Sequence, residues 1–165
     1  MRDFTLHTYD TLLGAIQNRG YKFFTFEKYI KNKIKDKNQN ENTIILRHDV
    51  DRLPNYALSM AKVEEKFGII SSYFFRITPN SNNPTIINKI KELGHEIGYH
   101  YEDLSLAKGN HEEAIKSFKK NLEYFRKFYN VKTICMHGSP MAKWDNRDIW
   151  KNYNYRNYGI LGEPY

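Results

Sequence analysis

Two hydrophobic rhythms alternate along this chain. Short apolar runs bounded by turn residues predict strands, and apolar residues three and four apart predict helices. Thr8 reads as the cap of a first helix that carries Leu12, Leu13 and Ile16 and ends at Gly20. An extended piece over 21–24 leads to a second helix, opened by Thr25 and carrying Phe26, Tyr29, Ile30 and Ile34. Residues 35–42 are polar throughout and read as a linker. A first central strand is expected over 43–48, with Ile44 to Leu46 buried on both faces. Pro54 then opens a helix through Ala57, Met60, Ala61 and Val63 that stops at Gly68. Further strands are predicted over 69–77, 95–100 and 131–136. Between them lie a helix over 84–93 ended by Gly94 and a longer helix capped by Asn110. That helix places Ala114, Ile115, Phe118, Leu122, Phe125 and Phe128 at helical spacing, so its aromatics read as core. A short helix near 147–152 and the start of a fifth strand at 159–161 complete the pattern. Strand and helix in alternation, with short loops, predict an α/β fold with parallel strands and helical crossovers.

Length sharpens this into one domain of 165 residues. Residues 1–42 form a helical preamble and linker too short to bury a core alone, and 43–165 carry the strand–helix units. An apolar share of 40% is enough for a real core, which argues against disorder. The excess of 26 basic over 19 acidic residues is spread over several helices rather than gathered in a run. It reads as a lysine-rich solvated surface, and no nucleic-acid partner is expected. A single cysteine, Cys135, excludes an internal disulfide and suits a reducing compartment. Its neighbours Ile134 and Met136 mark it as core. No apolar run reaches a membrane span and the N-terminus lacks an apolar signal core, so a cytoplasmic protein is expected.

The chemistry concentrates where the first central strand ends, in Arg47-His48-Asp49-Val50-Asp51. Side chains alternate along a strand, so Asp49 and Asp51 share one face while His48 and Val50 take the other. Two carboxylates aimed together repel unless a metal or a proton holds them. Parallel strands would bring Asp49 and Asp51, Arg76, His100 with Glu102 and Asp103, and His137 with Ser139 to one mouth. Carboxylates and imidazoles in that mixture point to a three-ligand divalent metal site with an open position. Zinc, or cobalt or nickel, suits it better than magnesium, and a free carboxylate alongside can take a proton from water. His48 reads as a hydrogen-bonding residue of the layer below, His95 as structural, and His7 and His111 as surface or helix-start residues.

These motifs also resemble a known family, the polysaccharide deacetylases (the NodB homology group, carbohydrate esterase family 4). Arg47-His48-Asp49-Val50-Asp51 is similar to the Arg-x-Asp-Val-Asp variant of its first motif. Gly94-His95-Glu96-Ile97-Gly98-Tyr99-His100 resembles its second, and Ser72-Tyr73-Phe74-Phe75 the strand between. The resemblance spans roughly 43–137. It implies a distorted (β/α) barrel, metal-dependent removal of an acetyl or formyl group from an N-acylated sugar, Asp49 as general base, and Asp51 and His100 as metal ligands. Leu104 stands where the family has its second histidine, so the third ligand is expected from His137, or else from Glu102 or Asp103. The family's arginine that orients the base is absent from His137-Gly138-Ser139-Pro140, leaving Arg76 or Arg47 for that role. The late motifs, with a general-acid histidine, would fall beyond Tyr165, so an incomplete barrel is expected. Without a signal core, a lipid- or nucleotide-linked sugar is the expected substrate. The alternative is a catalytically inactive relative that binds a glycan or a partner.

Overall fold

The computed structural model describes residues 4–35, 42–138 and 141–165. Most of the expected 35–42 linker, and Ser139 with Pro140, therefore lie outside the described residues. Among the described residues there are six strands, each parallel to the strands it pairs with. Strands β1 (Lys22–Phe24) and β2 (Thr43–Ile45) form a pair, and β3 (Arg47–Val50), β4 (Ser72–Phe75), β5 (Glu96–Tyr101) and β6 (Ile134–Met136) follow one another in a four-stranded sheet. The sheet curls into a half-barrel, and it does not close among the described residues.

Helices α1 (Leu6–Asn18) and α2 (Phe26–Lys35) form the preamble. The crossovers are α3 (Pro54–Lys66), α4 (Pro84–Glu92), the single turn α5 (Asp103–Leu106) and α6 (His111–Arg126), with 3-10 turns at Asn146–Lys151 and Tyr155–Tyr158. Caps fix the starts. Asn83 and Asn110 accept amide protons of α4 and α6, the latter from both Glu112 and Glu113. The cap of α1 is Thr5, which accepts from the Thr8 amide, so the helix starts three residues earlier than a cap at Thr8 would place it.

Register explains the layers. Val50, Phe75, Tyr99 and Ile134 are successive cross-strand partners and all are buried. Their face packs on Ala57 and Ala61 of α3, Ile87 and Ile90 of α4, and Phe118, Leu122 and Phe125 of α6. Each fully buried side chain of this size contributes about 1.5–3 kcal/mol. The alternate positions Asp49, Phe74 and Gly98 look onto the concave face. Gly98 is required there, because a Cβ would lie 2.3 Å from the Phe74 ring.

Four expectations need correction. The strand over 43–48 is two strands, broken at Leu46, and Ile44 to Leu46 are half-buried rather than covered on both faces. Leu46 instead turns the chain from one sheet to the other and accepts the Ser72 amide. Phe128 lies past the end of α6 and is 48% exposed, so it is not core. The fifth strand reduces to one parallel bridge, Thr133 to Gly162, after which Glu163 Oε1 takes the Met136 amide at 3.0 Å in place of a backbone partner. Sequence reasoning also missed α5, the turn that starts directly after β5.

Candidate metal centre

The parallel strands deliver four of the expected residues to one place, on the concave face at their C-terminal ends. Asp51 follows β3, His100 lies on β5, and His137 follows β6. Asp51 Oδ1 is 2.9 Å from His137 Nδ1 and 3.4 Å from His100 Nε2, and the two imidazole nitrogens are 3.3 Å apart. A tetrahedral zinc with bonds of about 2.0–2.2 Å separates its donors by about 3.3–3.5 Å, so this triangle has the right size or is slightly tight.

The protonation pattern supports the same occupant. His100 Nδ1 lies 3.0 Å from the Cys135 carbonyl, which can only accept, so Nδ1 carries the proton. Burial holds the His100 pKa below the ordinary imidazole value, against the pull of Asp49, the Cys135 carbonyl and Asp51. A neutral ring protonated at Nδ1 presents a bare Nε2 lone pair to the Asp51 carboxylate. Lone pair facing anion is unfavourable, and a cation between them reverses the sign. The Nδ1–H bond to a backbone carbonyl is also the usual way that a ligand histidine is oriented. Asp51 is half exposed at the mouth, so a further coordination position would face solvent.

Asp49 sits beside this triangle and is held differently. Arg47 Nε approaches its Oδ1 at 3.1 Å, and the Cys135 thiol donates to the same oxygen at 3.5 Å. Among the described residues Oδ2 has no hydrogen-bond partner. Asp49, His100 and Cys135 form a second group of close donor atoms. It is the poorer metal holder, since burial, then Asp49, push the Cys135 thiol up and keep it protonated while Arg47 already neutralises the carboxylate. Cys135 is buried as expected, but it faces the site rather than the helical core.

The remaining candidates are engaged elsewhere. Arg76 forms a two-pronged pair with Glu102, at 2.8 and 2.7 Å, and the arginine beside Asp49 is Arg47. Asp103 accepts from Tyr99, Ser117 and Asn121. Glu102 and Asp103 therefore have partners other than a metal, and His137 is the imidazole that joins Asp51 and His100. His48 serves the layer behind, through Glu64 at 2.6 Å. Asn146 was not anticipated. It is buried, donates to the His137 carbonyl at 2.7 Å, and accepts the Ser105 amide at 2.9 Å, so it clamps the loop that carries His137 to α5. An Asn within a charged stretch gave no sign of this.

No family model matches the chain, and no curated protein matches it. Among solved structures it is similar to one described as "Streptococcus pyogenes deacetylase PplD in complex with acetate". The TM-score is 0.59 at 13% identity, over 92% of this chain and 70% of that one. At that identity the likeness speaks for the fold. Among the described residues no helix is long and apolar enough to cross a membrane.

Proposed function

We propose that this chain is a divalent-metal-dependent deacylase that hydrolyses an acetyl or formyl group from the nitrogen of a sugar in a glycan precursor. The observation that carries the reading is the triangle of Asp51, His100 and His137 with Asp49 alongside, at the strand ends of a half-barrel similar in fold to a deacetylase. Zinc is the ion that fits best, with cobalt or nickel as substitutes, and Asp51 Oδ1, His100 Nε2 and His137 Nδ1 would hold it. When bound, such an ion supplies Lewis acidity to an acyl carbonyl and to water.

The chain's own groups do the rest. Asp49 accepts a proton from the attacking water through its open Oδ2, while Arg47 and Cys135 fix Oδ1. Water oxygen adds to the acyl carbon, the carbon–nitrogen bond breaks, and the proton leaves on the departing amine. In this reading a backbone amide near Gly138 steadies the negative charge that forms on the acyl oxygen. Arg76 supports the mouth through Glu102 in this reading and does not touch the base. The complete donor set argues against an inactive binding module, and the free buried thiol suits a cytoplasmic, lipid- or nucleotide-linked sugar substrate.

The test is release of acetate or formate from N-acylated sugars by the zinc-loaded protein. Asp49→Asn is expected to slow release at least about a hundredfold while retaining zinc. Equal rates in the two proteins, or no release by either, would sink the proposal.

A further inference from the structure

Next to His137 the surface opens into a cleft of about 310 Å³, lined by His137, Ala142, Lys143, Trp144, Asp145 and Asn146 among others. That volume lies at the small end of ligand sites. Trp144 forms one wall, and it is held in an unusual way. A Cβ at position 109 would lie 2.2 Å from the indole nitrogen, so one face of the ring is pressed onto a glycine with no side chain. Gly109 also has φ +84°, which other residues rarely adopt. The Ser105 hydroxyl donates to the Trp144 carbonyl at 3.1 Å. Asn146, two residues on, ties the His137 carbonyl to the Ser105 amide. The fold thus fixes both ends of the segment and leaves the indole 37% exposed. Trp150 makes the contrast, since it is half-buried and its ring nitrogen donates to the Tyr101 hydroxyl at 2.8 Å.

A rigid aromatic plate with one face backed by backbone and its surface open beside a hydrolytic centre suits a ligand with a flat apolar face and polar edges. We propose that the cleft between His137 and Trp144 is a carbohydrate subsite, and that Trp144 is the stacking platform for a pyranose ring. This deepens the deacylase reading, naming the residue that selects a sugar over other N-acyl compounds. Asp145 is occupied by Arg147, at 2.6 Å, and Asn146 is buried and engaged, so the edges of the ring meet backbone groups and Lys143 rather than a free carboxylate.

The test separates binding from turnover. Tryptophan fluorescence of the metal-stripped protein is titrated with N-acetylglucosamine, N-acetylgalactosamine, N-acetylmannosamine and triacetylchitotriose. Wild type is expected to give a saturable change with at least one of them. Trp144→Ala should weaken binding by about tenfold, which is about 1.4 kcal/mol, read by ligand-observed NMR because the reporter is lost. Trp144→Phe should retain most of it. Gly109→Ala should weaken binding comparably with both tryptophans present, and Trp144→Ala should melt where wild type does. Equal affinity in wild type and Trp144→Ala, or no response to any of the four sugars, overturns the subsite. Binding without acyl release leaves the subsite standing and removes the deacylase. Release with an unchanged KM in Trp144→Ala does the reverse.

Discussion

Removal of Glu64 should cost this fold heavily, because four side chains from other parts of the chain bond to its carboxylate. Glu64 lies on α3, in a Glu-Glu-Lys stretch, yet is fully buried. Its Oε1 receives the Tyr9 hydroxyl and His48 Nε2, the latter at 2.6 Å. Its Oε2 receives the hydroxyls of Ser71 at 2.6 Å and Tyr73 at 2.9 Å. Burial alone would raise its pKa, but the bonds from His48, Ser71 and Tyr9 outweigh burial and hold it below the usual carboxylate value. Replacement by alanine leaves these buried donors without an acceptor, at about 1–3 kcal/mol each, while relieving the desolvation of the carboxylate. The net loss on breaking such a buried charge network is about 3–5 kcal/mol, a large share of the roughly 5–15 kcal/mol that stabilises a domain. For a chain of this length that lowers Tm by about 6–20 °C. Glu64→Gln keeps one acceptor oxygen, and the Ser71 and Tyr73 hydroxyls can accept from its amide, so it should cost only about 1–2 kcal/mol.

Urea unfolding followed by circular dichroism reads these values, and pH adds an independent check. A carboxylate whose folded pKa is depressed contributes stability above its unfolded value, about 4.3, and loses it as pH falls through the folded value. The gap between wild type and Glu64→Ala should therefore be full at neutral pH and close progressively below about pH 4. Tyr9→Phe should couple to Glu64→Ala by more than about 1 kcal/mol in a double-mutant cycle, since Tyr9 joins α1 to this centre. A loss under about 1 kcal/mol for Glu64→Ala, or a gap independent of pH, would refute the reasoning.

Three further outcomes follow from single contacts. Arg47→Ala should lower the proposed deacylase turnover by about 10–100-fold without loss of zinc, and Arg47→Lys should not restore it, because an ammonium lacks the fork that reaches Asp49 and Tyr165 together. Metal analysis beside steady-state rates decides it, and loss of zinc in Arg47→Ala would count against a role limited to Asp49. Gly98→Ala should destabilise by about 1–3 kcal/mol, because its Cβ meets the Phe74 ring at 2.3 Å and the Thr133 carbonyl at 3.1 Å; an unchanged urea midpoint would contradict this. Burial raises the pKa of Glu96 despite bonds from the Glu27 amide, Ser72 and Thr133, so its contribution is present at low pH and lost as pH rises through the folded value. Glu96→Gln should therefore gain on wild type as pH rises from acid to neutral, and a pH-independent difference in urea melts would exclude the effect.

Some of this was legible because it depends on local period. The cap at Asn110, the glycine stops at Gly68 and Gly94, and the parity that sets Asp49 apart from His48 and Val50 are all encoded within a few residues. Long-range placement was not. Glu64 looks like solvent-facing charge until Tyr9, His48, Ser71 and Tyr73 converge on it from other elements. The break at Leu46 is invisible in an unbroken apolar run, because it is decided by which neighbour each half pairs with, β1 for one and β4 for the other. Phe128 keeps the helical spacing of Phe118 and Phe125, but α6 ends at Arg126 and the spacing no longer selects a face.

The two aspartates show where local pattern stops and tertiary chemistry begins. Positions 49 and 51 share a strand face, so alternation alone makes them equivalent. Their surroundings do not. Cys135, 86 residues after Asp49, donates to its Oδ1, and Arg47 neutralises the same oxygen, which leaves the other oxygen open among the described residues. His137, a similar distance along the chain, meets Asp51 instead, on a loop that Asn146 clamps in place. β6 thus supplies the thiol that anchors the first carboxylate, and the residue directly after it the imidazole that joins the second. A shift of β6 by one residue would exchange the faces of Cys135 and His137's neighbours and dissolve both arrangements at once. The different surroundings of Asp49 and Asp51 are therefore a property of β6 register, and register there is held by the pairs Tyr99 with Ile134, His100 with Cys135 and Tyr101 with Met136.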